Sequence, residues 1–359
     1  MIESLWLSNV RNLERLEFSP GAGCNLILGR NGSGKTALLE SIHILGSGRS
    51  FLYTDLDHVI RFGADKLGIA GDAHRRRLRF EKQRGELPSV SANGELIRLR
   101  SEQVRTLPMA VAHPESQGLV SGAPALRRQY LDGVVFHVEH SFHRVLQDYR
   151  RALRQRNEQL RSGSLETLAH WDAILLNLAE QMTQARTRVT DQLQEQFDAL
   201  QAAPELSRAL TRFAERIQLT LRRGWPEDLT LEQTWARDLQ TDRETGHTRQ
   251  GPHRADLQIS VGARRVRGVL SRAEQRLLSL LLVLAKVRLL ASAPGSALPV
   301  LLLDDIASEL DAASLEAVAV LVRSQQIQSF WTSPDPELPE RLAAENPQVF
   351  HVEQAAENR

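Results

Sequence analysis

Eight consecutive residues, Gly29-Arg30-Asn31-Gly32-Ser33-Gly34-Lys35-Thr36, fit the pattern G-x-x-x-x-G-K-[ST]. The chemistry open to such a stretch is the cradling of a nucleotide's phosphates. Glycines let main-chain N–H groups come close to phosphate oxygens, and a helix starting at the end of the loop adds the positive end of its dipole. Gly29, Arg30, Asn31, Gly32, Ser33, Gly34, Lys35 and Thr36 are therefore the candidate ATP-binding residues. Lys35 is expected to reach the β- and γ-phosphates, and Thr36 to hold Mg2+ through its hydroxyl. The bland alternative is a chance glycine turn. Lysine usage speaks against it: the chain has only four lysines, Lys35, Lys66, Lys82 and Lys286, among 45 basic residues. A chain that uses arginine almost everywhere uses the compact ammonium here.

A second stretch, Val300-Leu301-Leu302-Leu303-Asp304-Asp305, is an apolar run ending in two carboxylates. It suits a buried parallel strand with Asp304 at its carboxyl edge, where open α/β sheets bind ligands. Asp304 is expected to orient Mg2+ and Asp305 to polarise an attacking water. Alone this signal is weak, because apolar strands ending in Asp are common.

The elements that must position these residues are also legible. Residues 25–28 read as a short buried strand before the glycine loop. Residues 37–45 read as a helix after it, with Leu38, Leu39, Ile42 and Leu45 on one face. Residues 5–7 and 16–18 read as strands around a turn at 9–12, and 328–333 as a further sheet strand carrying Thr332 and Ser333. Arg49, in the glycine-containing stretch after the helix, is as consistent with a solvated loop as with a nucleotide contact.

Composition bounds the rest. With 359 residues the chain holds two or three domains. A net charge of +1 means that any nucleic-acid surface is local. The single cysteine, Cys24, excludes an internal disulfide and a C-x-x-C metal site. No signal peptide is visible, and the most apolar stretch, 277–285, is far short of the ~20 residues a membrane span needs. A cytoplasmic protein with no membrane partner is expected.

Between the two chemical stretches the pattern changes twice. From 61 to 99 it is short strands, with Asn93-Gly94 as a hairpin turn. Arg75, Arg76, Arg77 and Arg79 form a basic run there, and on a strand its alternate members share a face able to meet phosphates. From 127 to 197 the pattern is helical. Leu168, Trp171, Leu175, Leu178, Met182, Ala185, Val189, Leu193, Phe197 and Leu200 step by three or four, and Phe142, Val145, Tyr149 and Leu153 form a matching shorter stripe around a turn at 161–164. An antiparallel helical hairpin with a coiled-coil-like seam follows. Arg150, Arg151, Arg154, Arg156 and Arg161 bias its tip towards basic charge, and Arg150 and Arg154 join the run at 75–79 as candidate DNA contacts. A charged sheet face in water explains the run at 75–79 equally well, and most helical charge runs are only solvated faces.

Ser271-Arg272-Ala273-Glu274 has the spacing of a capping box opening a leucine-rich helix. It stands one helix and one loop before 300–305, where ABC-type ATPases keep the signature motif that contacts a nucleotide on a second subunit. Ser308-Glu309-Leu310-Asp311 stands where such enzymes keep the D-loop.

Taken with Asn9-Val10-Arg11-Asn12, Gly48-Arg49-Ser50, Gly251-Pro252-His253-Arg254, Leu270-Ser271-Arg272 and the run 302–311, these motifs resemble the RecF family of bacterial DNA replication and recombination-repair ATPases, related to SMC heads. The resemblance covers most of the chain. It implies ATP and Mg2+ as cofactors and a homodimer formed around ATP, with Ser271 acting in trans. It also implies DNA binding in that state, and RecA loading at gapped DNA with RecO- and RecR-type mediators. Turnover would be that of a weak, DNA-stimulated ATPase used as a switch, with Lys35 and Asp305 catalytic and Thr36 and Asp304 holding the metal. Two positions depart from the family pattern: Ala273 stands where glycine is usual, and Val10 where an aromatic is usual.

The fold class expected is α/β, an ABC-type P-loop ATPase head with a strand-rich lobe and an inserted α-helical hairpin domain. The expected division is 1–125 and 225–359 for the head and 126–224 for the helical arm. The rival is an ABC transporter's ATPase subunit, which usually has Glu after the strand Asp, a switch His, and no long helical hairpin before the signature. A GTPase is excluded by the lack of N-K-x-D. A long SMC or break-repair ATPase would need hundreds of coiled-coil residues.

Overall fold

Strict alternation governs the strand-rich stretch: Leu67, Ile69, Gly71 and Ala73 face inward along one strand, and Leu78, Phe80 and Lys82 along the next. Period-two burial is what a sheet with one covered face requires. The computed structural model describes residues 1–139, 141–162, 165–204, 206, 216–262, 264–293, 297–342 and 346–352. The turn expected at 161–164 lies partly outside them. The strands in chain order are β1 (Ile2–Val10), β2 (Leu13–Phe18), β3 (Cys24–Leu28), β4 (Lys66–Ala73), β5 (Arg76–Gln83), β6 (Ser89–Ala92), β7 (Glu95–Leu96), β8 (Met109–Ala112), β9 (Ile217–Arg222), β10 (Asp256–Val261), β11 (Arg264–Arg265), β12 (Val300–Leu303), β13 (Ser329–Ser333) and β14 (Gln348–His351).

The chain divides into two compact units, one of residues 1–116, 199–214 and 271–359, the other of 117–198 and 215–270. The first unit contains two sheets. One is antiparallel, in the order β2-β1-β4-β5-β6-β7; the other is parallel, in the order β14-β3-β13-β12-β8. Helix α1 (Lys35–Ser47) belongs to the core they share. Its Leu38, Leu39, Ile42 and Leu45 join Leu5, Ile69 and Phe80 of the first sheet and Ile27, Leu302 and Phe330 of the second in one cluster. Each such side chain contributes about 1.5–3 kcal/mol on burial. Gln328 ties β1 to this core, accepting from the Ile2 N–H at 2.7 Å and donating to the Ile2 carbonyl at 2.8 Å.

The strand order of the parallel sheet decides what meets at its carboxyl edge. β13 lies between β3 and β12, with Thr332 opposite Ile27 and Trp331 opposite Leu303. The glycine loop after β3 and the carboxylates after β12 therefore flank the end of β13.

In the second unit the helices Pro124–Val138, Phe142–Ser162, Leu165–Gln201 and Leu231–Thr245 accompany the sheet β11-β10-β9. The free edge of β9 is covered by one side chain. Gln194 donates to the Ile217 carbonyl at 3.0 Å and accepts from the Leu219 N–H at 2.6 Å, which satisfies an otherwise open strand edge. The boundary expected at 224–225 falls inside this unit, because β9 before it pairs with β10 after it from Asp256↔Arg222 to Val261↔Ile217. That pairing spans a helix and a loop, so no local pattern announces it.

The helical hairpin departs from its expected seam on both helices. The long helix buries most of its stripe, with Trp171 and Leu178 only half-buried. On the Phe142–Ser162 helix, however, Val145 and Leu153 are only half-buried, and the buried face runs through Tyr149, Ala152, Arg156 and Leu160. Arg156 is fully buried, donating to Asp172 at 2.6 Å, Asp242 at 3.1 Å and Thr248 at 2.7 Å, with its guanidinium 4.6 Å from the Trp235 ring. The expectation that Arg156 contributes to an exposed basic tip is corrected: two carboxylates hold it inside. His253 is likewise structural, bonded through Nδ1 to the Tyr149 hydroxyl at 2.9 Å and through Nε2 to the Thr248 carbonyl at 3.0 Å.

Candidate functional site

Two glycines allow the loop after β3 to close on itself. Gly34, just before α1, has φ +110, and a Cβ there would lie 2.7 Å from Leu13 Cδ2. A Cβ on Gly29 would meet both Ser33 Oγ and the Val352 carbonyl at 2.5 Å. No other residue fits either position without displacement. The loop's amides and the start of α1 thus open on one cavity of about 220 Å3, which Asp304, Asp305 and Thr332 also line.

Lys35 donates to the Gly29 carbonyl at 2.7 Å and the Arg30 carbonyl at 3.0 Å, so its ammonium lies folded over the loop. Desolvation lowers its pKa, opposed by the charges of Asp305 and Asp304. Thr36 donates to both carboxylate oxygens of Asp304 at 3.1 Å. Thr332 donates to Asp304 Oδ1 at 2.7 Å and accepts from the Asp305 N–H at 2.9 Å. Asp305 itself has φ +50 and an Oδ1 that is buried without a partner among the described residues. Its pKa is raised, first by desolvation and further by Asp304, against the hydrogen bond from Ser308 and the charge of Lys35. The donors gathered here, a hydroxyl and carboxylates, are hard oxygen ligands of the kind Mg2+ takes. The residues present fit that ion.

Two cavity residues had no role in the sequence reading. Asn12 donates to the Gly32 carbonyl at 2.9 Å. Arg11 lines the cavity, pairs with the fully buried Glu40, and lies 4.6 Å over the Tyr53 ring, yet its Nη2 is buried without a partner among the described residues. Ser50 donates to the same Glu40. The motif Asn9-Val10-Arg11-Asn12 was visible, but its nearness to the glycine loop depends on the β1–β2 turn. Arg49 does not line the cavity.

Ser271 forms the expected capping box on the Arg272–Ala291 helix, its N–H donating to Glu274 at 2.7 Å and its hydroxyl accepting from the Glu274 N–H at 3.3 Å. It does not line this cavity. Asp311 caps the Ala312–Ser324 helix, accepting from the Ser314 N–H at 2.7 Å.

The basic run at 75–79 is divided by the hairpin. His74 and Arg75, with φ +51 and +62, form the turn, and Arg77 and Arg79 share an exposed face with Glu81. Glu81 pairs with Arg79 at 3.2 Å, and Asp72 stands opposite Arg77. Arg150 and Arg154 are exposed on their helix.

A parallel sheet with a glycine loop after one strand, a carboxylate pair after another, an antiparallel lobe over α1 and a helical insert is the head of an ABC-type P-loop ATPase fold. The model of the RecF/RecN/SMC N-terminal domain matches residues 1–358. "DNA replication and repair protein RecF" of Stutzerimonas stutzeri (strain A1501) is 36% identical over 362 residues, covering 98% of this chain and 95% of that protein. The protein of the same name from Hahella chejuensis (strain KCTC 2396) is 32% identical over 365 residues, covering 97% and 96%. The chain belongs to the RecF family. Among solved structures, a RecF–ATP complex, described as a recombination mediator protein in the RecFOR pathway, is similar with TM-score 0.80 at 24% identity, over 93% of this chain and 92% of that one. An Smc head domain from Pyrococcus furiosus is similar with TM-score 0.57 at 16% identity, over 98% and 93%. Among the described residues no helix is long and apolar enough to cross a membrane.

Proposed function

We propose that this chain is an ATP-gated DNA-binding protein of replication and recombinational repair, acting in the cytoplasm. The observation that carries the reading is the chain of contacts from Thr36 through Asp304 to Thr332 beside Lys35, at the carboxyl edge of the parallel sheet. Loop amides and Lys35 bind the triphosphate. Thr36 and Asp304 would hold Mg2+, which would supply positive charge against the phosphates. Arg11, with one guanidinium nitrogen lacking a partner among the described residues, adds a further charge towards the nucleotide. Asp305 orients the attacking water.

Ser271 acts on the nucleotide of a second copy, so ATP draws two chains into a homodimer. Ala273 places a methyl where that contact needs a close main-chain approach, which weakens it. The dimer binds DNA, with the exposed Arg75, Arg76, Arg77, Arg79, Arg150 and Arg154 as contacts, and slow hydrolysis resets it. RecO- and RecR-type mediators are its partners in loading RecA at gaps. The names and pathway of the family relatives support this biological setting.

Light scattering with and without ATP and Mg2+, followed by DNA binding across a salt series, tests the reading. The expected result is an ATP-dependent dimer whose DNA affinity falls steeply with salt, as counterion release requires. A monomer indifferent to ATP, or DNA binding indifferent to salt, contradicts it.

A further inference from the structure

The three strands β9, β10 and β11 bury one face and expose the other. Ile217, Leu219, Leu257, Ile259 and Val261 point inward. On the opposite face the register brings Gln218, Ser260 and Arg265 into one row, Thr220 and Gln258 into the next, and Arg222 beside Asp256 into the third. Arg222 and Arg265 are exposed, and among the described residues neither guanidinium has an ion pair.

Carboxylates are as frequent as basic residues in this chain, 44 against 45, so an exposed face is ordinarily neutralised. The face of β5 is an example, with Glu81 and Asp72 set against Arg79 and Arg77. The face of β9–β11 differs. Its one carboxylate among the described residues, Asp256, is occupied by Arg127 through two bonds, of 2.7 and 3.0 Å. At the near end of β9, Arg216 is matched by Asp198. What remains is two unpaired guanidinium groups at diagonal corners of a patch of Gln, Thr, Gln and Ser. Arginine, glutamine, serine and threonine are the side chains that contact sugar and phosphate. Among the described residues the face has no aromatic ring, and so no platform for a base.

We propose that the solvent face of β9–β11 is a phosphodiester-binding surface, and that Arg222 and Arg265 hold the DNA backbone without reading its sequence. The proposal rests on the DNA-binding reading above and adds a place for the contact outside the basic runs that the sequence pointed to.

The double variant Arg222→Gln/Arg265→Gln tests it, with Arg188→Gln/Arg237→Gln, two exposed arginines each paired with a carboxylate, as comparator. Binding of a fluorescent duplex of arbitrary sequence is measured between 50 and 300 mM salt, on full-length protein with ATP and Mg2+ present. Circular dichroism and melting temperature monitor the fold. Each lost phosphate contact lowers the slope of log K against log salt by about 0.9. The first double variant is expected to lose at least about tenfold in affinity at low salt and nearly two units of slope, equally for two unrelated sequences. The comparator should change less. A folded Arg222→Gln/Arg265→Gln protein that binds DNA with wild-type affinity and slope overturns the proposal while leaving the DNA-binding reading intact. Wild-type protein that fails to bind DNA overturns both. A loss confined to one sequence overturns the backbone assignment.

Discussion

Thr332 donates its hydroxyl hydrogen to Asp304 Oδ1 at 2.7 Å, across the gap between two parallel strands. The hydroxyl oxygen of Thr332 accepts the Asp305 N–H, so one threonine sets the direction of both carboxylate-bearing residues. A hydrogen bond to a charged group contributes about 1.5–3 kcal/mol. Thr332→Val keeps the shape and removes the bond. Mg2+-ATP affinity should fall roughly tenfold, and Thr332→Ser should restore it. Equal affinity in the wild type and the valine variant would mean that Thr332 only fills the strand.

Asp305 differs from the glutamate common after this strand by one methylene. A carboxylate that positions the attacking water must come within about 2.6–3.2 Å of it. The shorter side chain predicts turnover well below the typical ~10 s⁻¹. Asp305→Asn should retain ATP binding, abolish hydrolysis and prolong the dimer on DNA. Undiminished phosphate release from this variant would remove Asp305 from the chemistry.

Ser271 caps its own helix, and a cap accounts for both hydrogen bonds it makes. The role in trans proposed for it makes a separate prediction. Ser271→Arg should leave ATP binding intact, because the residue does not line the cavity of its own chain, and should abolish ATP-dependent dimerisation. Normal dimerisation by sedimentation would leave Ser271 as a cap alone.

The glycine loop and the β12 carboxylates were legible because each is local. Eight residues specify the loop, and four consecutive apolar residues mark a strand covered on both faces. The strand carrying Thr332 and Ser333 was legible from its run of residues, but which of the two meets Asp304 depends on register. Arg11 and Arg156 were not legible. The partners of Arg156 lie 16, 86 and 92 residues away, and only the folded chain brings Asp172, Asp242 and Thr248 around it. The same limit hid the partner of Asp256, which is 129 residues distant.

His253 gives a prediction for stability against pH. Burial first, and then the charges of Arg254, Arg128 and Arg156, lower its pKa from 6.5 to about 4, against the hydrogen bond to the Thr248 carbonyl, which raises it. Above pH 6.5 the ring is neutral in both the folded and the unfolded chain. As pH falls from 6.5 to 4 the unfolded chain takes up the proton first, so stability is lost across that window, by at most about 3 kcal/mol from this group. His43, lowered to about 4 chiefly by burial, adds a loss of the same sign. The melting temperature should drop between pH 6.5 and 4, and His253→Gln should flatten the slope in part. A slope unchanged by the substitution would mean that the ring is already protonated in the fold.

The central claim is that the cavity at the edge of the parallel sheet binds ATP through Lys35. Calorimetric titration of Mg2+-ATP into the wild type and into Lys35→Ala tests it most directly. The Lys35 ammonium reaches loop carbonyls at 2.7 and 3.0 Å and stands ready to exchange them for phosphate oxygens, a charge-assisted contact. Its removal should cost at least about 1.4 kcal/mol, a tenfold rise in Kd. Saturable binding by the wild type and a Kd at least tenfold higher for Lys35→Ala is the predicted result; the same Kd for both proteins, or no binding by the wild type, would contradict it.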